Sequence, residues 1–246
     1  MSGIKQGIKN GINFFLERGF HHRLMHSALA LDSAAESLQS LADAGMVFRH
    51  AVDVGAARGE WTQAMLTRLP KCHFTMIEPL AENLAYLDVV QVKSGGRADY
   101  RHEAVGRQSG TLVLNVHSDQ TSSFASEWGG TIREVPVQRL DDRLADGSIP
   151  AIDLIKLDVQ GAELDVLAGA EKTLAACQAV QMEISFRRVY KGAPLAHEIV
   201  AYMADKGFRV FDICDTIKRR EDRALLQADL VLAREGKWFL PETWHR

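Results

Sequence analysis

Val52-Asp53-Val54-Gly55-Ala56-Ala57-Arg58-Gly59 is the stretch from which the fold is read. It joins a strand-like run, Arg49–Val54, to a helical segment, Glu60–Leu69, that Pro70 stops. Small residues after a strand let backbone amides approach a ligand closely, and the helix N-terminus behind them adds a positive field. Gly55 suits the tight turn, and Gly59 suits close packing of the helix on the sheet. The dinucleotide fingerprint would place its middle glycine at Ala57, so this is not that turn. Asp53 lies at the end of a buried strand, where a carboxylate is costly unless donors meet it. Backbone amides or a ligand ammonium would serve.

Reading outward, the next strand ends Met76-Ile77-Glu78-Pro79. A carboxylate at the carboxyl end of a neighbouring strand is placed to accept from both hydroxyls of a ribose. The other reading is an acid that opens the following helix. The third run, His102-Glu103-Ala104-Val105-Gly106, offers small residues that could border an adenine ring or simply leave the sheet. The run Asp153-Leu154-Ile155-Lys156-Leu157-Asp158-Val159-Gln160-Gly161-Ala162-Glu163 is the most informative. Lys156 and Asp158 are two apart and share one face at the strand's carboxyl end, where ligands of open α/β sheets sit. A lysine inside an apolar strand needs a partner, and Asp158 and Glu183 are the candidates. A structural ion pair and a charged constellation at the mouth of a reaction site both remain open.

From Met46 onward short apolar runs alternate with helical segments. Strands are expected at Arg49–Val54, His73–Ile77, Tyr100–Val105, Leu112–Val116, Ile152–Asp158, Ala179–Ile184, Phe208–Ile213 and Asp229–Ala233. Helices are expected over Glu60–Leu69, Leu80–Val92, Glu163–Ala175 and Leu195–Lys206. Such alternation means a mostly parallel sheet covered on both faces. The last two strands are separated only by the charged stretch around Lys218–Arg223, too little for a helical crossover, so the final strand should enter antiparallel. The expected fold is α/β, a Rossmann-like, mostly parallel seven-stranded sheet with an antiparallel terminal strand, preceded by N-terminal helices. Residues 1–46 form the N-terminal helical segment and 47–246 the main domain.

The N-terminal segment begins with a four-residue repeat, Gly3-Ile4-Lys5-Gln6, Gly7-Ile8-Lys9-Asn10, Gly11-Ile12-Asn13-Phe14. Each interior glycine costs about 1 kcal/mol of helix stability. Lys5, Lys9, Arg18 and Arg23 stand against Glu17 alone in the first 25 residues. The arm either packs on its own domain or a neighbouring subunit, or rests as a basic amphipathic segment on an anionic membrane surface. A second helix is expected from about His21 to Asp43, capped by Gly45. Its heptad-like seam of Leu24, Ala28, Leu31, Ala35, Leu38 and Ala42 should pack on another helix, its own or a partner's, which would make a homo-oligomer.

The composition, 46% hydrophobic and 25% charged, belongs to an ordinary soluble domain, and a formal net charge of -3 gives no reason to expect nucleic acid. Cys72, Cys177 and Cys214 are scattered, without zinc spacing or a disulfide framework, as in a reducing compartment. No secretory leader or uncharged run of about 18 residues is apparent, so a cytoplasmic location is expected.

The ordered set Asp53–Gly59, Glu78-Pro79, Ala104–Gly106 with Gly110-Thr111-Leu112, Val137–Asp142 and Lys156–Glu163 resembles FkbM-type methyltransferases over about residues 47–234. A parallel sheet ending in an antiparallel hairpin agrees with that resemblance. It implies S-adenosylmethionine as cofactor and transfer of a methyl group to a hydroxyl of a sugar, glycan or natural-product acceptor. The implied cofactor set is Asp53, Gly55, Ala56, Ala57, Gly59, Trp61, Glu78, Pro79, Ala104, Val105 and Asp158. Asp53, Gly55 and Gly59 would form the methionine-side loop, Glu78 would hold the ribose, and Lys156, Asp158 and Glu163 belong to the characteristic segment. Gln160 stands where the family often has Glu, and no catalytic role is assigned to it. The Thr121-Ser122-Ser123-Phe124 loop resembles a hydroxyl-rich loop of the family, so Ser122 and Ser123, with Glu163, are the expected substrate contacts.

Methylation of an alcohol needs the oxygen aligned and its proton removed. The expected catalytic residues are Asp158 and Glu183 as base candidates, with His102 and His117 behind them. Lys156 would stabilise a developing alkoxide or tune a carboxylate. No metal cluster is expected, although Asp158 and Glu183 together could hold a divalent ion. Loops 117–134 and 186–194 carry Trp128, Arg133, Arg187, Arg188 and Tyr190, side chains suited to sugars and to much else. Two other classes stay open: a methyltransferase-like binding protein without catalysis, and a NAD-dependent enzyme, which Ala57 and the terminal strand pair disfavour.

Overall fold

A computed structural model describes residues 33–118, 121–123, 131–190 and 192–236. The glycine-rich arm, the seam residues Leu24, Ala28 and Leu31, and Phe124 and Trp128 lie outside the described residues.

The chain begins with α1 (Ala34–Asp43) and β1 (His50–Val54), then α2 (Glu60–Arg68), β2 (His73–Ile77), a 3-10 turn at Ala81–Asn83, and α3 (Leu84–Lys93). Next come β3 (Ala98–Arg101), β4 (Ala104–Val105), β5 (Gly110–Ser118), β6 (Thr121–Ser123), β7 (Thr131–Gln138) and α4 (Leu140–Ala145). The rest is β8 (Leu154–Leu157), α5 (Glu163–Ala168), α6 (Glu171–Ala176), β9 (Ala179–Ser185), α7 (Ala196–Asp205), β10 (Phe208–Lys218) and β11 (Leu225–Arg234).

The main sheet has seven strands in the order β10-β11-β9-β8-β1-β2-β3. β1, β2, β3, β8 and β9 run parallel, and β11 inserts antiparallel between β9 and β10. The central strands are covered on both faces: all five residues of β1 and all four of β8 are buried, the charged Asp53 and Lys156 among them. Strand order reverses at β1, which lies between β2 and β8, so a crevice opens beyond its carboxyl end.

Three sequence expectations are corrected. The run Tyr100–Val105 is two strands, because Glu103 is buried and paired to Arg143 and takes the chain out of the main sheet. β4 then starts a second, four-stranded sheet in the order β4-β7-β5-β6. That sheet contains the predicted Leu112–Val116 strand, and also β7, which the sequence reading did not mark. β7 carries Pro136, tolerated because β4 pairs only with Val137 and Gln138 and leaves the edge beside Pro136 open.

The helix expected over Glu163–Ala175 is two short helices that break at Gly169. Asp141 caps the second in trans, accepting from the backbone of Lys172 and Thr173 at 3.0 and 2.9 Å.

α1 starts at a capping box on Ser33, whose backbone is extended, and residues 21–32 of the helix expected from His21 lie outside the described residues. Its seam does not pack only on a helix. Leu38 and Leu41 are fully buried in one core with Phe74 and Met65, and with Cys214 and Val231 of β10 and β11. The Ser37 hydroxyl donates to Asp212 at 2.5 Å, and the Ala34 amide donates to Asp215 at 3.0 Å, fixing the helix to β10. Leu38→Ala should therefore cost about 2–5 kcal/mol in urea denaturation, whereas Val92→Ala, at an 81% exposed site, should change stability by less than about 0.5 kcal/mol. Equal small effects would show that α1 is not part of the cooperative core.

Candidate active site

The crevice at the switch point is an open cleft of about 700 Å³, counted to its mouth and including open solvent. Its floor is the β1 turn. Gly55 has φ +75°, and a Cβ there would stand 2.0 Å from the Asp158 carbonyl oxygen, so only glycine lets the β1 and β8 turns meet. The amides of Gly55 and Ala56 donate to the Ile77 carbonyl at 3.0 and 3.1 Å, tying the turn to β2. Ala57 adopts φ +46° and gives its amide to Glu78 at 2.8 Å.

Glu78 follows the last residue of β2 and reaches the cleft while almost fully buried. It also accepts from the Leu80 amide at 2.9 Å and the Asn83 side chain at 3.1 Å. Burial pushes its carboxyl above the ordinary glutamate value, and those three donors together oppose the shift. A carboxylate can accept about four hydrogen bonds, so capacity toward a ligand hydroxyl remains. Apolar walls come from Ile77, Leu80, Ala104 and Val105, and from Leu112 and Leu114 of the second sheet.

The sequence-predicted residues divide into two groups. Gly55, Ala57, Glu78, Pro79, Ala104, Val105 and Asp158 line the cleft. Asp53, Ala56, Gly59 and Trp61 do not. Asp53 is wholly buried, accepting from the Thr62 hydroxyl at 2.8 Å and facing Lys156 Nζ at 3.1 Å. Its donors are protein groups, not a ligand ammonium. Gly59 caps α2 in a left-handed conformation, against Leu87, Val90 and Met76. Trp61 stands edge-on to Phe74 and donates from Nε1 to Gln181 at 2.8 Å.

Lys156 is equally internal. Besides Asp53, its ammonium meets the Gly55 carbonyl at 3.2 Å and Asp158 at 3.6 Å. Burial lowers its pKa, but Asp53 and Asp158 outweigh that and hold it above the ordinary lysine value. Glu163 is buried too, its Oε1 accepting from the Gly161 amide at 3.0 Å, so it shapes the turn and does not face the cleft. Ser122 and Ser123 lie in β6, paired through the backbone with Val116 and Asn115. His102 donates through Nε2 to the Pro79 carbonyl at 3.1 Å, which occupies that nitrogen.

Glu183 is partly buried near the end of β9 and accepts from Gln227 at 2.7 Å. Desolvation, then Asp158, Asp229 and Glu163, raise its carboxyl from 4.5 to about 7. Among the described residues no three His, Cys, Asp or Glu side chains gather as metal ligands, and no helix is long and apolar enough to cross a membrane. The sequence reading missed Asn83, Leu80, Leu114 and Val159 as part of the cleft or its support, and it set Gln160 aside. Asn83 carries no motif of its own, and Leu114 reaches the cleft only through the second sheet.

Residues 53–210 match the FkbM methyltransferase domain. The chain belongs to the FkbM methyltransferase family. The 2-O-methyltransferase NoeI of Sinorhizobium fredii is 28% identical over 158 residues, which cover 57% of this chain and 65% of that protein, a little under two thirds of its length. Among solved structures, the FkbM methyltransferase from Methylobacillus flagellatus is similar with a TM-score of 0.49 and 19% identity, over 74% of this chain and 43% of that one. The precorrin-6y C5,15-methyltransferase from Geobacter metallireducens gives a TM-score of 0.46 and 12% identity, over 81% and 86%.

Two outcomes follow from this geometry. Gly55→Ala should cost about 3 kcal/mol or more, from the clash with Asp158 and the positive φ, measurable as a lowered urea midpoint. An unchanged midpoint would mean that the two turns do not meet. Between pH 4.5 and 7 folded Glu183 keeps a proton that the unfolded chain has released. Stability from this group is therefore present below pH 4.5 and lost as pH rises toward 7. Glu183→Gln should gain on the native protein across that window, by up to about 3 kcal/mol. A constant difference between the two denaturation curves would reject the shift.

Proposed function

We propose that the chain is an S-adenosylmethionine-dependent O-methyltransferase acting on a hydroxyl of a sugar, glycan or natural-product acceptor. The observation that supports this best is one cleft at the switch point that joins the Gly55 turn, a buried Glu78 and Asp158. The Gly55–Ala57 turn, which forms part of the cleft lining, fits the amino-acid end of the cofactor. Glu78 fits a ribose, and Ala104, Val105, Leu112 and Leu114 fit an adenine. When bound, that cofactor supplies an electrophilic methyl carbon.

The chain's own task is to align the acceptor oxygen and take its proton. Asp158, 41% exposed at the cleft, is placed for the general-base role, and Glu183, outside the cleft lining but near enough to Asp158 for their charges to interact, is the second candidate. Lys156 acts as a positioning residue, because its ammonium is committed to Asp53, Gly55 and Asp158. The acceptor class is supported by NoeI, which is named for 2-O-methylation; the likeness to it extends to 65% of its length.

Titration calorimetry with S-adenosylhomocysteine should give saturable binding that Glu78→Ala weakens at least tenfold. With labelled methyl donor and a panel of host glycans and pathway metabolites, Asp158→Asn should lower the rate by about 100-fold or more. Folded protein without a heat signal would reject the donor site in favour of a non-catalytic role. Near-normal rates in both Glu183→Gln and Asp158→Asn would reject the base assignment.

A further inference from the structure

Gln160 makes two directional contacts that join separate parts of the site. Its Nε2 donates to Asp158 Oδ1 at 3.0 Å, and its Oε1 accepts from the Tyr190 hydroxyl. The other Asp158 oxygen faces Lys156 Nζ at 3.6 Å, so the carboxylate is oriented from both sides. Gln160 holds φ +54°, a left-handed conformation that costs about 1–2 kcal/mol for a residue with a Cβ. That conformation accompanies an amide set between a carboxylate and a phenol.

Tyr190 belongs to the segment that leads from β9 to α7 across the carboxyl end of the sheet. This segment closes on itself, with the Ala193 amide donating to the Tyr190 carbonyl at 3.2 Å and Arg188 donating to the Ala193 carbonyl at 2.8 Å. It is also pressed against the turn that holds Gln160. A Cβ on Gly161, which has φ +101°, would lie 2.8 Å from the Ala193 Cβ. At the other end of the relay, Gln160 and Asp158 both line the cleft.

We propose that Gln160 is a positioning residue that couples the 186–195 segment to Asp158 at the cofactor cleft, with Tyr190 as the contact on the acceptor side. The assignment of donor and acceptor sides rests on the methyltransferase reading above. An amide suits the position chemically. It offers a donor to an ionised carboxylate and an acceptor to a phenol, and it does not titrate. Burial, then Glu183, Asp158 and Glu163, push the Tyr190 phenol up to about 12, so it remains a donor. A carboxylate at position 160 would repel Asp158 and would restore the bridge only when protonated. The charged groups acting on Tyr190 are Glu183 of β9, Asp158 of the turn after β8 and Glu163 of α5, and Lys156 of β8 faces Asp158. Asp53 of β1 and Asp229 of β11 act on Lys156, and Asp229 also acts on Glu183.

Hydrogen–deuterium exchange of the peptide covering 186–195 tests the coupling without knowledge of the acceptor. The intact chain is compared with Tyr190→Phe, Gln160→Ala, the double variant and Gln160→Glu, with and without S-adenosylhomocysteine. Melting temperatures confirm that the isosteric Tyr190→Phe and Gln160→Glu proteins are folded. In the free protein, each of Tyr190→Phe and Gln160→Ala should speed exchange about tenfold, and the double variant no more than either alone. In Gln160→Glu the excess over wild type should be large at pH 8 and shrink toward pH 6. S-adenosylhomocysteine should slow exchange in the wild-type segment and have little effect on it in Tyr190→Phe.

Additive effects, a pH-independent excess in Gln160→Glu, or a bound ligand that leaves the wild-type segment unchanged would each overturn the proposal. If calorimetry finds no S-adenosylhomocysteine binding, the donor reading fails, and the coupling to the cleft fails with it. The latch between Tyr190 and Gln160 is still decided by exchange in the free protein.

Discussion

The Lys156 ammonium lies between the two central strands and meets three oxygens, on Asp53, on the Gly55 backbone and on Asp158. Removing one partner of such a buried set leaves an uncompensated charge, at a cost of about 3–5 kcal/mol. The contact also defines the site. Asp53 belongs to β1, Gly55 to the turn after it, and Asp158 to the turn after β8. One cation therefore fixes the relative height of the two turns whose meeting opens the cleft. Gly55 completes the arrangement by allowing the Asp158 carbonyl to approach.

Beside this cation a polar row crosses the sheet. Trp61 donates to Gln181, and Gln181 donates to Asp229 at 2.7 Å. Burial raises the Asp229 carboxyl, as it does that of Glu183. Lys156 opposes the rise at both carboxyls, and desolvation outweighs it. Burial, then the neighbouring Asp158, Asp229 and Glu163, bring Glu183 to about 7 without a catalytic motif around it in the sequence.

The cleft's apolar wall has a separate origin. β5 and β7 form a second sheet that leaves the main one at Glu103, held by Arg143. Leu112 and Leu114 alternate inward from β5 and reach the cleft beside Val105. Their period of two marks a half-buried strand and is legible in the chain, but it does not tell which sheet the strand joins. The same limit explains the split of Glu163–Ala175. Apolar spacing runs through the whole segment, and only the backbone bond from Asp141 to the Gly169 carbonyl and the Asp141 side-chain cap on α6 place the break.

By itself the sequence determined the alternation of strands and helices, the parallel centre with its antiparallel end, and the turn, Gly55 to Gly59, that ends at the crevice. These follow from local patterns: runs of apolar residues, small residues after strands, and a terminal connection too short for a helix. Only the tertiary structure decided which acids face the cleft. Asp53 and Glu78 both read as carboxylates at strand ends, yet Asp53 is one residue inside its strand and Glu78 one residue beyond it. That difference turns one side chain under α2 toward Lys156 and the other into the cleft. It is smaller than the uncertainty of a strand boundary read from pattern alone. Gln160 is a similar case, since the value of an amide there depends on Tyr190, thirty residues away in the chain and adjacent only after folding.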